Sequence, residues 1–499
     1  MFIRQFPDKT KFVKLAEQYN VIPVFTEILA DTETPVSLLK KTYQNKGPVF
    51  LLESVEGGER WGRYSFLSVS AKSHLQVYAK DVRILENGTL NKISHNGDPL
   101  GVLRDFMNQF NPPEVPELPR FWGGLVGYLT YEMVSFFEKI PNRLPEKTPV
   151  ANFIIPDEIL IFDNVRNTLL CIAICFLDKD RQSDHDIDMA FESAKERCRS
   201  LQNIINQHVP PMKTSLKQKD YRLSPKLKEE TFRSNVGKVK KYILAGDVIQ
   251  TVISQPFVCH DSPDPLSLYR IQRYVNPSPY LFFMHLNNTV LVGSSPETMV
   301  RMENGIANLR PIAGTRPRGK NSIEDSRLAE ELLSDEKERA EHLMLVDLGR
   351  NDLGRVSQTG SVNVTDLMIV EKYSHVMHIV SNITSRLKPD CDAWDLIRAS
   401  FPAGTLSGAP KVRAMEIIAE IEKEHRGPYG GAVGYISFSG NMDMAITIRT
   451  ACIENKVLTV RAGAGIVYDS DPESERVETV NKAKSIQKAL QLLQHGETP

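Results

Sequence analysis

A nine-residue pattern occurs twice in this chain. Gly123-Gly-Leu-Val-Gly-Tyr-Leu-Thr-Tyr131 matches Gly430-Gly-Ala-Val-Gly-Tyr-Ile-Ser-Phe438 in its glycines, its valine and its aromatic positions. Each copy is followed by a stretch with the composition of paired strands, 158–177 after the first and 444–467 after the second. Read as a repeat, the pattern confines the fold to one in which both halves contribute similar strands. A coincidence of small and aromatic residues in strands fits it equally well. Asn87-Gly88 and Asn304-Gly305 each lie between alternating runs, the strongest short signal for a hairpin turn. Helical patterns at 9–19, 35–43, 231–245, 410–423 and from Pro472 onward interrupt these strands. Hairpins outnumber crossovers, so the expected class is α+β.

Two of the helical stretches carry paired carboxylates. In SDEKERAEHLMLVDLGRNDLGR (334–355), Ser334 is a candidate cap, and Asp335 and Glu336 suit an electropositive first turn. Glu338 and Glu341, three apart, share a face beside the apolar block Leu343–Val346. Asp471-Pro472 opens the second stretch, where Glu475 and Glu478 are again three apart and Lys482 lies one turn beyond Glu478. Each stretch also fits a half-solvated amphipathic helix whose acidic end faces water. Should the two helices meet, an oxygen-only ligand set of this kind suits Mg2+, which binds through one or two carboxylates and keeps several waters.

A chain of 499 residues has room for roughly two to four domains. With 61 Lys+Arg against 62 Asp+Glu its formal charge is -1, which argues against nucleic acid or a membrane surface as the main partner. The six cysteines (171, 175, 198, 259, 391, 452) show no zinc spacing and read as reduced thiols of a cytoplasmic protein. None sits in the glycine-flanked turn that a glutaminase nucleophile needs. The run 169–177 is far short of a membrane span, and the N-terminus lacks a signal-peptide core. Prolines and lysines cluster between 207 and 230, where a linker is expected. Two glycine stretches mimic nucleotide loops. Gly404–Lys411 has its glycines one residue too close for a phosphate loop, and Gly463-Ala-Gly465 lacks the third glycine of a dinucleotide fingerprint. Both read better as tight turns, or as places where backbone N–H groups approach a carboxylate.

A set of motifs now identifies a family. GDVIQTVISQ (246–255), NPSPY (276–280), GSSPE (293–297), RPIAGTRPRG (310–319), HVMHIVS (375–381), FPAGTLSGAPK (401–411), PYGGAVGY (428–435), ITIRT (446–450) and RAGAGIVYDSDPESE (461–475) resemble the chorismate-binding catalytic domain. The upstream LLES (51–54) and RYSF (63–66) further resemble the large subunit, component I, of anthranilate synthase. The resemblance implies antiparallel sheets packed face to face with helices outside and the active site between the sheets. It divides the chain into a regulatory N-terminal region (1–206), the linker (207–230) and a catalytic domain (231–490).

Roles follow from the same resemblance. Glu341 and Glu478 hold Mg2+, with Glu338 and Glu475 close by, and the ion clamps the ring carboxylate of chorismate. Arg449, placed on a strand from Ala445 to Thr450, grips the enolpyruvyl carboxylate. Tyr429, Gly463, Gly465, Lys482, Gly314, Thr315 and Thr405 contact substrate. Glu297 protonates the departing hydroxyl, and His378 serves the later elimination. Relatives that add water carry a lysine where Gln250 stands, and relatives that make aminodeoxychorismate carry a nucleophilic lysine where Ala313 stands. Gln250 with Ala313 therefore selects anthranilate synthesis, a lyase reaction and the first committed step toward tryptophan, over aminodeoxychorismate or isochorismate synthesis. The intact set argues against an inactive regulatory paralogue. Pro256 departs from the arginine common after the Ser-Gln pair. Ammonia is expected from a separate glutamine amidotransferase subunit, in a heterotetramer. Glu53, Ser54, Tyr64, Pro279, Tyr280, Leu281, Val433 and Tyr435 match a pocket for tryptophan as feedback inhibitor.

Overall fold

The structure, a computed structural model, describes residues 2–54, 62–178, 183–209, 220–373 and 376–495. Positions 55–61, between the LLES and RYSF elements, and 210–219 of the expected linker lie outside them. Among the described residues, 13 strands form one sheet and 12 a second. From edge to edge the first sheet runs Phe2–Phe6, Val21–Leu29, Thr168–Phe176, Glu158–Asp163, Tyr64–Ser68, Val49–Glu53, then Tyr280–Leu286, Thr289–Ser295, Thr450–Glu454, Val457–Ile466, Gln250–Cys259 and Ser224–Pro225. The second runs Ile312–Pro317, Val376–Arg386, Ile306–Leu309, Thr298–Glu303, Met442–Ile446, Ala432–Ser437, then Gly124–Leu129, Ala151–Ile155, Ser73–Val77, Asp81–Glu86 and Thr89–Ser94; off these paths, Gly408–Ala409 pairs with Gln250–Cys259 and Asn363–Lys372 with Val376–Arg386. Strand pairs are antiparallel throughout.

Both sheets are therefore built half from the region before residue 177 and half from the region after 223, joined at two seams. At one seam Val49–Glu53 pairs with Tyr280–Leu286; at the other Gly124–Leu129 pairs with Ala432–Ser437. The second seam is where the repeated pattern meets itself. Gly127 pairs with Gly434, and Val126 with Tyr435 just as Val433 pairs with Tyr128. Equivalent residues pair reciprocally, so a local two-fold axis passes between the glycines. Each copy then continues identically. Gly124–Leu129 and Ala151–Ile155 lie in the second sheet and Glu158–Asp163 and Thr168–Phe176 in the first, as do Ala432–Ser437, Met442–Ile446, Thr450–Glu454 and Val457–Ile466 in the same order. The repeat is structural, not coincidental. Its central glycine is obligatory, because a Cβ on Gly127 or Gly434 would lie 2.1 Å from the carbonyl oxygen of Asn152 or Asp443.

Strand alternation sorts side chains into layers. Along Tyr280–Leu286, Phe282, Met284 and Leu286 enter the core between the sheets, with Phe50, Phe66, Val126, Ile154 and Tyr435. Leu281 and Phe283 point the other way, into the layer under the helices Pro35–Thr42, Pro265–Val275 and Pro472–His495. Pro99–Met107, Ala393–Ser400 and Glu336–Gly354 cover the second sheet in the same manner. Both Asn-Gly turns form as expected, with φ of 49° and 78° at Asn87 and Gly88 and 52° and 74° at Asn304 and Gly305.

Two local expectations are corrected. Ser334 ends the preceding helix, Ser322–Ser334, and Asp335 is the cap, accepting from the backbone N–H groups of Lys337 and Glu338. Arg449 is not on a strand. The chain leaves the second sheet at Ile446 and enters the first at Thr450, and Arg449 forms the corner with φ of 50°. Ile446 and Ile448 imitate strand alternation because both are drawn into apolar packing on the way across.

Candidate active site

Strands from both sheets enclose a cavity of about 540 Å³ in the C-terminal half, closed on one side by the helices Glu336–Gly354 and Pro472–His495. Every residue expected to serve catalysis, substrate or metal lines it. These are Gln250, Glu297 and His378; Gly314, Thr315, Thr405, Tyr429, Arg449, Gly463, Gly465 and Lys482; and Glu338, Glu341, Glu475 and Glu478.

The floor is the strand Val457–Ile466, which turns Arg461, Gly463 and Gly465 toward the cavity in alternation. The two glycines make room for neighbouring side chains. A Cβ on Gly463 would sit 2.6 Å from the Tyr429 hydroxyl, and one on Gly465 2.2 Å from Gln250 Nε2. Gln250 Oε1 is buried and makes no hydrogen bond with protein. At the far wall the half-buried Arg449 donates through Nη1 to the Lys482 carbonyl at 3.0 Å. Lys482 in turn donates to the Gly463 carbonyl at 2.8 Å and pairs with Glu478 at 2.6 Å.

Two groups are poised for proton transfer. Glu297 faces the cavity but has protein on every other side, and this desolvation pushes its carboxyl up to about 7. The Thr405 hydroxyl, donating at 2.9 Å, and the Lys482 charge restrain the rise. His378 Nδ1 lies 2.8 Å from the Gly314 carbonyl oxygen, which only accepts, so Nδ1 carries the proton. Burial holds the imidazole below its usual range, leaving it neutral with the Nε2 lone pair free to act as a base.

The acidic residues form the remaining wall. Burial, then the charges of Glu338 and Glu478, raise Glu341; burial, then Glu478, raises Glu475. Glu338 stands 3.5 Å from Arg316 and Glu478 is open to solvent beside Lys482. Among the described residues, no group of three or more His, Cys, Asp or Glu is close enough to form a ready metal site. Carboxylates from two helices that raise one another across the cavity suit a hard divalent ion, which takes one or two protein oxygens and completes its shell with water and substrate.

Sequence reasoning passed over Lys337, Leu345, Ile448 and Arg461, which also line the cavity. Lys337 and Arg461 were in plain view, one residue before Glu338 and at the head of the Gly463-Ala-Gly465 motif. Arg461 donates to the His425 carbonyl at 2.5 Å, next to a buried Glu422–Arg426 pair joined at 2.7 and 2.9 Å. Tyr429 and Arg461 also border a second cavity of about 210 Å³, and Pro256 lines that one rather than the first. The departure at 256 thus lies outside the predicted site.

The residues matched to tryptophan lie at the two seams or, for Tyr64, on the strand beside one, and they divide between layers. Tyr64, Tyr280, Val433 and Tyr435 belong to the core between the sheets. The Tyr280 hydroxyl reaches Asp443 at 2.9 Å and the Tyr435 hydroxyl accepts from Arg120 at 2.8 Å. Glu53 and its register partner Leu281 point instead beneath the helix Pro265–Val275. There the Tyr269 hydroxyl donates to Glu53 and Arg273 Nε lies 3.3 Å away. Ser54 and the half-buried Pro279 adjoin these strands.

A face-to-face pair of antiparallel sheets with this cavity defines a class of protein, and sequence comparison gives it a name: the family model for chorismate binding enzymes matches residues 48–488. The anthranilate synthase component 1 of Aquifex aeolicus is 46% identical over 493 residues, covering 97% of each chain. That of Pseudomonas aeruginosa is 44% identical, covering 98% of this chain and 99% of its own. The structure of anthranilate synthase component I from Streptococcus pneumoniae superposes with a TM-score of 0.72 at 35% identity, covering 92% of this chain and 98% of that one. The menaquinone-specific isochorismate synthase of Escherichia coli shares the fold, with a TM-score of 0.70 at 20% identity, covering 97% of this chain and 98% of that one. The chain belongs to the anthranilate synthase component 1 family of chorismate-binding enzymes.

Proposed function

We propose that the chain converts chorismate and ammonia to anthranilate and pyruvate. The observation that carries this reading is the half-buried, desolvated acid Glu297 in one cavity with Arg449 and two carboxylate pairs. Chorismate is a dianion. Its enolpyruvyl carboxylate is taken by Arg449, with Tyr429 and the Gly465 backbone lining that end. Glu341 and Glu478 would hold Mg2+, which would supply positive charge to neutralise the ring carboxylate and draw electrons from the ring. Ammonia attacks ring carbon 2 and the hydroxyl leaves from carbon 4. Hydroxide leaves poorly, so Glu297 donates its proton to that oxygen, aided by a site poorly solvated enough to keep the proton near neutrality. His378 Nε2 then removes the proton at carbon 2 as the bond from carbon 3 to the enolpyruvyl oxygen breaks, releasing pyruvate and leaving an aromatic amine.

Gln250 sets the nucleophile. Its amide accepts no proton near neutrality, so it does not activate water, whereas free ammonia already has a lone pair. Ala313 offers no amine to join the ring. Both disfavour isochorismate and aminodeoxychorismate synthesis. A separate amidotransferase subunit supplies the ammonia, in a heterotetramer, and tryptophan inhibits at the seam residues around Glu53, Ser54 and Tyr280. The division into a regulatory region (1–206), a linker (207–230) and a catalytic domain (231–490) belongs to the same proposal; it divides tasks, since the sheets are shared. So does a cytoplasmic location, supported by free cysteines at all six positions. The test is direct. Purified chain with chorismate, Mg2+ and an ammonium salt at mildly alkaline pH should develop anthranilate fluorescence. Isochorismate as the sole product would overturn the reading.

A further inference from the structure

We propose that Gln272 is a positioning residue for Arg449, and that its helix, Pro265–Val275, relays effector binding at Glu53 to the substrate site. The relay rests on the tryptophan reading above; the positioning role does not.

Arg449 turns the corner between the sheets in the left-handed region, φ 50°, which a residue with a long side chain adopts only when its surroundings impose it. Its carbonyl oxygen is held from two sides. Gln272 Nε2 donates to it at 2.8 Å, and the Ser294 backbone N–H at 3.2 Å. Gln272 is 1% exposed, so water does not replace the bond, and its Oε1 makes no hydrogen bond. Among the described residues, the bond to the Arg449 carbonyl is the one hydrogen bond this buried side chain makes. With the corner fixed, the guanidinium reaches the cavity and the Lys482 carbonyl.

The helix that carries Gln272 is anchored to the seam. Tyr269, Gln272 and Arg273 fall at i, i+3 and i+4 and share a face. Tyr269 and Arg273 address the buried carboxylate of Glu53. Ser294, the second holder of the Arg449 carbonyl, bonds through its hydroxyl to Ser278 at 2.9 Å and accepts from Asn276 Nδ2 at 3.0 Å. Glu53 and the segment Asn276–Ser278 that leads into Pro279, Tyr280 and Leu281 thus both lead to one carbonyl oxygen. A ligand ammonium arriving at Glu53 competes with Tyr269 and Arg273 for that carboxylate. The helix moves as a unit, so Gln272 shifts with it and the Arg449 corner loses its hold. A ligand that alters this hold must bind the two arrangements differently, and chorismate must then oppose it.

Gln272→Met keeps the length of the side chain and removes the donor. KM for chorismate should rise about tenfold, the loss expected for one buried hydrogen bond, with kcat within twofold and the melting temperature near the parent's. The factor by which tryptophan raises KM should fall toward one, while equilibrium dialysis with labelled tryptophan still shows binding. Gln272→Glu adds a pH signature. Buried there, the new carboxyl donates while protonated, so KM should be near the parent's at acid pH and climb as it ionises. A parent-like KM in Gln272→Met overturns the positioning role. If that variant fails to fold, a KM in Gln272→Glu that follows the parent's at every pH does so instead. Should the parent prove insensitive to tryptophan, the relay falls with the regulatory reading, and the KM arm still decides Gln272.

Discussion

Glu297 combines an acid's task with an environment that tunes it. Burial lifts its carboxyl to about 7, so the folded protein retains a proton that the unfolded chain releases from the usual carboxylate range upward. Stability should therefore fall as pH rises through that window, and Glu297→Gln should be more stable than the parent at pH 8, by ~1–3 kcal/mol. The same variant should lose roughly 10²–10⁴-fold in turnover, the contribution of a positioned acid. With total ammonium fixed, the parent's rate should level off above about pH 7, because free ammonia rises with pH as the protonated acid declines; a rate that keeps climbing tenfold per pH unit would remove Glu297 from the acid's role. Gln250→Lys should suppress amination, since it buries an amine beside Gly465 where the glutamine amide now fits, and ammonia-dependent activity equal to the parent's would place Gln250 away from the nucleophile. The pairs Glu338/Glu341 and Glu475/Glu478 were legible at this scale because a helix converts spacing into a shared face. The left-handed corner at Arg449 was not, for its carbonyl is held by a glutamine 177 residues away in sequence.

At the scale of elements, the carboxylate helices and the seam strands make separate demands. Glu341→Gln and Glu478→Gln should each abolish Mg2+-dependent turnover in a folded protein, because each removes charge beside the apolar stripe and not within it; unchanged Mg2+ dependence in either would end the assignment. Ser54 follows the seam strand Val49–Glu53, so Ser54→Phe adds bulk beside Glu53 without touching the cavity. It should remove tryptophan inhibition and leave ammonia-dependent activity nearly intact, as measured by anthranilate formation with and without tryptophan. Coupling of this kind is typically ~1–3 kcal/mol. Hairpins at Asn87-Gly88 and Asn304-Gly305 could be read from two residues each, since turn type is set locally. Which strands flank a seam could not, because pairing such as Leu281 with Glu53 is decided by tertiary packing.

For the whole molecule, the first expectation concerns the partner. The six cysteines are accounted for, and burial raises the thiols of 171, 175, 198 and 452 far from reactivity, so glutamine alone should give no anthranilate until an amidotransferase subunit is added. Robust glutamine-dependent product from the isolated, contaminant-free chain would refute this. The duplicated architecture was foreshadowed by nine residues seen twice, but the two-fold itself emerged only when Gly127 met Gly434. That meeting has a consequence for the chain as it is made. Gly124–Leu129 leaves the ribosome roughly 300 residues before Ala432–Ser437, which at typical elongation rates is roughly 15–60 s. For that interval one flank of the half-built second sheet is an open ladder of amides and carbonyls, an edge the nascent chain must keep from the wrong neighbour.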